Sequence, residues 1–272
     1  MKNTINRVLG NLGLRLIRFR ASPYERLIKF DRYQETTIRL LGQDFKIADA
    51  PSFYHSYREI FLNEIYKFSS TKASPVIIDC GSNCGTSIVY FKTIYPGARI
   101  TGIEADPRVF QILDWNIKRR SYHGVTLINK AVSNSGKPVR FYSEGADGGR
   151  IFPLEDYKNA LEVAPVRLDD LIVEPVDFLK MDIEGSETEA VCSSEKLGRV
   201  DSLFIEYHSF KDSPQGLGAM LQKLSSCGFR YYIQTQFCSP RPLVEETLQL
   251  GMDLQLNIFA NRVHDRPTIT GR

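Results

Sequence analysis

The stretch VIIDCGSNCGTSIVYF, Val76 to Phe91, restricts the fold more than any other part of the chain. It opens with β-branched residues and no polar alternation, the pattern of a strand buried on both faces, and such strands belong to parallel sheets covered by helices. After Asp79 the pair Gly81 and Gly85 lets the backbone turn sharply, and TSIVYFKTIYP then carries a helical pattern that Pro96 stops. The same strand-to-helix rhythm repeats downstream. ARITGIEA predicts a second strand, and DPRVFQILDWNIKRR a helix with Asp106 at its N-cap and Pro107 at its first position. GVTLINKAV predicts a third strand, GKPVRFYSE a hairpin arm and GADGGR a glycine-rich loop. VDFLKMDI predicts a fourth parallel strand leading into EGSETEAVCSSEKL, where Ser186 and Glu189 have the spacing of a capping box. DSLFIEYH predicts a fifth strand, QGLGAMLQKLSSCG a helix, and FRYYIQTQ with LQLNIFAN a final pair. Right-handed crossovers between such strands give a doubly wound α/β sheet, in which ligands sit at the carboxyl ends of the strands.

A chain of 272 residues with 42% hydrophobic content supports one large core plus an extension. The expected division is an N-terminal helical extension or cap over 1–70, one ligand-binding domain over 71–263, and a loose tail over 264–272. The net charge of +3 is spread along the chain, which argues against nucleic acid as a partner. The five cysteines form no CxxC pair, and their odd number argues against a disulfide framework, so a reducing cytoplasm is the expected compartment. No apolar run approaches the ~18 residues that span a bilayer, and no secretory signal is expected. In MKNTINRVLGNLGLRLIRFR, however, Ile5, Val8, Leu9, Leu12, Leu16 and Phe19 share a helical face among basic residues. Such a helix packs on the domain or on a second copy of the chain, the reading preferred here, or lies on an anionic inner membrane surface. PSFYHSYREIFLNEIYKF, rich in aromatics, is either a cover over the acceptor site or a helix docked into the core. Glu144 to Arg150 is either a lid or a surface loop.

The glycine turn raises a chemical question, because Asp79 ends the strand just where a ligand would approach. Glu104 ends the second strand nineteen residues after Gly85, close to the ~20-residue offset at which an acidic side chain receives ribose hydroxyls. Asp79 would repel a pyrophosphate, and the spacing from Gly81 to Gly85 is not GxGxxG. A ribose ligand carrying positive charge fits better, and S-adenosyl-L-methionine has a sulfonium, an ammonium and an adenosine.

Four segments, DCGSNCG, GIEADP, VRLDDL and FLKMDIEGSE, in that order and at those separations, resemble the FkbM family of S-adenosylmethionine-dependent methyltransferases, and IEYH after the fifth strand has its counterpart there. The resemblance covers Val76 to His208. It implies the class I methyltransferase fold, Rossmann-like, with a mostly parallel seven-stranded sheet and helices on both faces. It also implies O-methylation of hydroxyls on saccharides or polyketides. It puts Asp79, Gly81, Asn83 and Gly85 at the methionine end of the cofactor and Glu104 on its ribose. Cys80 and Cys84 stand where aliphatic residues are commoner, and are expected to act as small apolar filler.

Removing a proton from a hydroxyl calls for a positioned base, which contributes ~10²–10⁴-fold. Asp182 ends the fourth strand, next to both cofactor and acceptor, and Glu206 and His208 share one face of the fifth. His208 is the leading proton acceptor, oriented by Glu206 or Asp182; the plainer alternative is a structural histidine bonded to Glu206. Asp182, Glu206 and His208 together could also hold magnesium or manganese, a divalent ion not favoured at this stage. Lys180 is expected in a structural ion pair, and Glu187 and Glu189 to serve the helix dipole. Glu184 stays open between the dipole and the site. Asp169 is expected to cap the DDLI turn or, less readily, to touch a ligand. Three functions follow: an O-methyltransferase acting on a small-molecule or glycan acceptor, an N-methylating or metal-dependent variant, and a non-catalytic cofactor-binding interaction protein. Homo-oligomerisation is compatible with all three.

Overall fold

The computed structural model describes residues 22–142, 150–151 and 160–262. The expected N-terminal basic helix, nearly all of the expected Glu144 to Arg150 loop and the expected 264–272 tail lie outside the described residues.

The described part of the N-terminal segment is not wholly helical: after a 3-10 turn at Glu25–Lys29 it forms two strands before its longer helix. Thr36–Leu40 (β1) and Gln43–Ile47 (β2) pair as an antiparallel hairpin, turning through Leu41 and Gly42 at positive φ. Asp49 then caps Ala50–Tyr57 (α1), its carboxylate accepting from the Ser52 amide, and Arg58–Leu62 continues the helix as a wider π turn. Leu40, Phe45, Ile47 and Phe53 from these elements pack with Cys84, Val89, Val109 and Ile112 of the following domain. These described elements are therefore fixed on the domain through a shared core.

The main sheet is built from Val76–Cys80 (β3), Arg99–Glu104 (β4) and Val125–Asn129 (β5), with helices Thr86–Ile94 (α2) and Pro107–Arg119 (α3) between them. Asp106 caps α3 as expected, accepting from the amides of Arg108 and Val109. The expected third strand is divided, because Ala131–Val132 (β6) leaves the sheet. A small three-stranded unit, Val139–Tyr142 (β7), Arg150–Ile151 (β8) and Ala160–Val163 (β9), follows, and Pro165–Val166 (β10) pairs with β6. After the short helix Leu168–Leu171 (α4), Val176–Met181 (β11) returns to the main sheet, followed by Glu187–Ser193 (α5), Val200–Phe210 (β12) and Leu217–Ser226 (α6). Phe229–Cys238 (β13) and Met252–Arg262 (β14) form the last hairpin.

The seven strands run in the order β13-β14-β12-β11-β3-β4-β5. All are parallel except β14, which runs antiparallel to both its neighbours. This is the class I, Rossmann-like methyltransferase architecture. The chain winds outward from β3 through β4 to β5 and then returns to β11 on the other side of β3, so a crevice opens at the carboxyl ends of β3 and β11. Every residue of β11 is buried, in keeping with an apolar strand at the centre of such a sheet. The register pairs Lys180 with Asp79 and Met181 with both Cys80 and Ile205, which brings the three strand ends together. Among the described residues no helix is long and apolar enough to cross a membrane.

Two local expectations fail for a common reason. Ser186 begins α5 without a side-chain cap bond; Glu187 instead reaches back to the amides of Ile183 and Gly185, while Glu189 accepts from Asn134. Asp169 caps nothing in α4 but accepts from Ser194, Glu195 and Lys196 at the exit of α5. In both cases a tertiary partner replaces the local one.

Candidate active site

The glycine turn is held by close backbone packing. Gly81 has φ of 80°, and a Cβ there would lie 1.8 Å from the Asp182 carbonyl oxygen, so no other residue fits between the ends of β3 and β11. Gly85, at φ 90°, meets Leu113 of α3 in the same way, with 2.8 Å to an added Cβ. The amides of Gly81 and Ser82 donate to the Ile103 carbonyl at 2.9 and 2.8 Å, tying the turn to β4. Asn83, also at positive φ, donates its amide to Glu104 Oε2 at 2.8 Å, and Asp106 donates to Oε1 at 2.9 Å. Burial pushes the Glu104 carboxyl up to about 7 despite those two bonds. Such a carboxylate gains from further donors, which the two hydroxyls of a ribose supply.

Asp79 does not stand in the cavity. It is fully buried one layer behind, where Oδ2 accepts from the Ser87 hydroxyl at 2.5 Å and Oδ1 lies 3.6 Å from Lys180 Nζ. Lys180 donates to the Gly81 carbonyl at 2.5 Å and lies 3.4 Å from Asp182 Oδ2. Burial works against its charge, but Asp182, Asp79 and Glu206 outweigh burial and hold the ammonium above its usual range. Lys180 is thus the structural ion pair expected of it, and Asp79 shapes the loop through Ser87 and Lys180. Cys80 is wholly buried filler, its thiol pushed up by burial, and Cys84 is buried with its sulfur accepting from the Ala48 amide at 3.4 Å.

The other end of the crevice concentrates acid. Asp182 follows β11, Glu184 follows at φ 56°, and Glu206 and His208 lie on β12. The side chains of Asp182, Glu184 and Glu206 are 25%, 20% and 17% exposed, whereas that of His208 is 1% exposed. His208 Nδ1 is 3.1 Å from Glu187 Oε1; its Nε2 is 3.6 Å from Glu184 Oε2 and 3.8 Å from Glu206 Oε1. Burial opposes the imidazolium, but Glu184, Glu187 and Glu206 outweigh it and raise its pKa well above the usual value. Burial, reinforced by Asp182, pushes Glu206 up to about 8, and burial also raises Glu184 strongly. Gln255 on β14 donates to Glu206. The histidine therefore leans on Glu187 more closely than on Glu206, and the carboxylates expose more of their side chains to the cavity that it also lines.

These two ends line one cavity of about 500 Å³. Ser56, Glu59 and Tyr66, from the aromatic segment, form its roof, while Gln236, Leu250 and Met252 close it from the β13–β14 side. Phe53, Tyr54 and Ile60 of the same segment are buried, so it both fills core and covers the site. Sequence reasoning gave Glu187 to the helix dipole and passed over Glu59 and Gln255. For Glu187 the available signal was its position five residues beyond Asp182, where α5 turns back on the strand end; for Gln255, whose partner is set by the β12–β14 register, the sequence held none.

Residues 79–231 match the methyltransferase FkbM domain family. Methyltransferase sdnD from Sordaria araneosa is 25% identical over 171 residues, which is 50% of this chain and 66% of that protein, slightly under two thirds of its length. The 31-O-demethyl-FK506 methyltransferase FkbM from Streptomyces tacrolimicus is 26% identical over 212 residues, 64% of this chain and 80% of that one. Among solved structures, methyltransferase FkbM from Methylobacillus flagellatus KT aligns with a TM-score of 0.46 and 21% identity, covering 76% of this chain and 50% of that one.

Proposed function

The chain belongs to the FkbM family of S-adenosylmethionine-dependent methyltransferases, and from that premise we propose that it methylates a hydroxyl oxygen of a small metabolite, a saccharide, glycosylated or polyketide-type acceptor. When bound, S-adenosylmethionine supplies an electrophilic methyl group. The residues fit such a ligand: a desolvated Glu104 awaits donors at one end of the cavity, and excess carboxylate at the other suits positive charge. Gly81, Asn83, Gly85 and Glu104 would hold the cofactor, with Asp182 at the boundary between cofactor and acceptor.

The observation that carries the acceptor reading is the exposure of Asp182 and Glu206 to the cavity beside a rigid nucleotide loop. Holding two reactants in line contributes ~7–11 kcal/mol to a barrier of this kind, and both walls of the crevice are built on strand ends. We place Glu206 as the group that takes the hydroxyl proton. His208, almost without exposure, orients the carboxylates from behind. The Streptomyces relative, whose name specifies an O-linked methyl group, supports oxygen over nitrogen as the acceptor atom.

The deciding experiment supplies methyl-labelled cofactor with a panel of glycosides, polyketide alcohols and matched amines. Label on oxygen is expected, with the Glu206→Gln variant slowed ~10²-fold or more. Label confined to the amines would replace this reading with N-methylation.

A further inference from the structure

We propose that Asp182, Glu184 and His208 form a binding site for a divalent cation of the magnesium or manganese class. The proposal rests on the reading of this cavity as the methyl-transfer site and adds a metal to its acceptor end. One ligand atom from each of the three residues lies within 4.8 Å of the other two. The separation of His208 Nε2 and Glu184 Oε2, 3.6 Å, falls between the ~3 Å and ~4.2 Å of adjacent and opposite ligands around an ion bound at ~2.1 Å. Two carboxylates and one imidazole are a hard, mixed donor set of the kind these ions take.

A second observation points the same way. Glu187 is 1% exposed at its side chain and accepts from the backbone amides of Ile183 and Gly185, so its carboxylate is fixed. Glu187 Oε1 already serves as acceptor for two backbone amides, so His208 Nδ1 is placed as the donor in the 3.1 Å contact between them. Nε2 lies 3.4 Å from the Gln255 amide nitrogen, 3.6 Å from Glu184 Oε2 and 3.8 Å from Glu206 Oε1, and an ion bound there would take the place of the proton that these carboxylates favour on the ring. A carboxylate behind the far nitrogen of a histidine is the usual support of a metal-ligating imidazole. Charge agrees: four carboxylates, Asp182, Glu184, Glu187 and Glu206, crowd this wall, and Lys180 is shared with Asp79 and the Gly81 carbonyl. An ion here would leave Glu206 free as proton acceptor. With all three ligands on the cavity wall, its open positions would favour an acceptor with two adjacent oxygens, such as a vicinal diol.

The full-length protein, stripped with chelator, is titrated with manganese chloride and followed by electron paramagnetic resonance and calorimetry, with neither cofactor nor acceptor present. One saturable ion per chain is expected. Glu184→Gln, at a partly exposed position, and Asp182→Asn should each weaken binding at least tenfold, and Glu187→Gln ~10–100-fold through His208. Glu206→Gln should retain the ion. Circular dichroism of each variant identifies any loss that comes from unfolding; a variant so affected is replaced by Glu184→Ala. No saturable binding below millimolar manganese, or binding indifferent to Glu184 and Asp182, overturns the site. Because S-adenosylhomocysteine binding is measured separately on the stripped protein, loss of the metal proposal leaves the methyltransferase reading standing, and the reverse holds.

Discussion

Glu104 is a carboxylate that burial disfavours and two backbone amides only partly support. Its folded pKa, about 7, lies above the ordinary 4.5. Between those values the unfolded chain is ionised and the folded chain protonated, so stability falls as pH rises from 4.5 toward 7 and is level above it. A ligand whose hydroxyls donate to Glu104 selects the ionised form. Affinity for S-adenosylhomocysteine should therefore rise with pH up to about 7 and level off above it, with a drop of up to ~10-fold per unit on the acid side. Calorimetry at pH 6 and pH 8 reads this directly, and equal affinities would show that Glu104 is not the ribose partner. Glu104→Ala should cost ~1–3 kcal/mol of that binding at pH 8 and flatten the profile. Gly81 makes a different kind of demand. Its alanine variant would collide with the Asp182 carbonyl and should lose fold and binding together. Both residues were legible in the sequence, because a glycine turn and a carboxylate at a fixed offset are local features. The layer behind them was less so. Asp79 looked like a ligand because it ends β3, and only the register against β11 shows Lys180 beside it.

The N-terminal hairpin and α1 form an element group whose role is read from what it covers. Phe53 sits in a core with Phe45 and Val109, at 5% exposure, while its neighbours Ser52 and Ser56 line the cavity. Phe53→Ala should destabilise the fold by ~3–5 kcal/mol by thermal or urea melting. Below that unfolding transition it should raise the acceptor KM more than the cofactor Kd, since Glu104 and the glycine turn stand on other elements. Equal change in both constants would mean that α1 supports the whole crevice and not only its roof. The alternation of strands and helices from Val76 onward was visible because each element carries its own period. The β1–β2 hairpin was not, because TIRLLGQDFKI has no Asn-Gly or Asp-Gly turn; Leu41 takes positive φ beside Gly42 instead. The two failed caps at α4 and α5 have the same origin, as side chains suited to local capping found partners in another element.

At the scale of the whole molecule the crevice joins three bodies: the glycine-turn half of the sheet, the β11–β12 half with its acid cluster, and the N-terminal roof. Each contributes wall to one cavity, so a ligand filling it contacts elements that separate on unfolding. Anything that binds the folded chain alone stabilises it by RT ln(1 + [L]/Kd), ~2.7 kcal/mol at a hundredfold excess over Kd. For a chain slightly larger than the 150–250 residues over which 1 kcal/mol moves Tm by ~2–4 °C, that corresponds to a rise of ~5–10 °C. S-adenosylhomocysteine at saturation should produce such a shift, and NAD, whose pyrophosphate would face the acidic crevice without a GxGxxG turn, should produce none. The same scan on Glu104→Ala should show little change in the unliganded Tm, because removal of a disfavoured buried charge offsets the loss of an acceptor for two amides, and a smaller ligand-induced rise. That combination separates a binding residue from a structural one: a variant that lowers the unliganded Tm and keeps the full rise would assign Glu104 to the fold. A shift of equal size with NAD would place the nucleotide elsewhere and detach the acid cluster from the cofactor altogether.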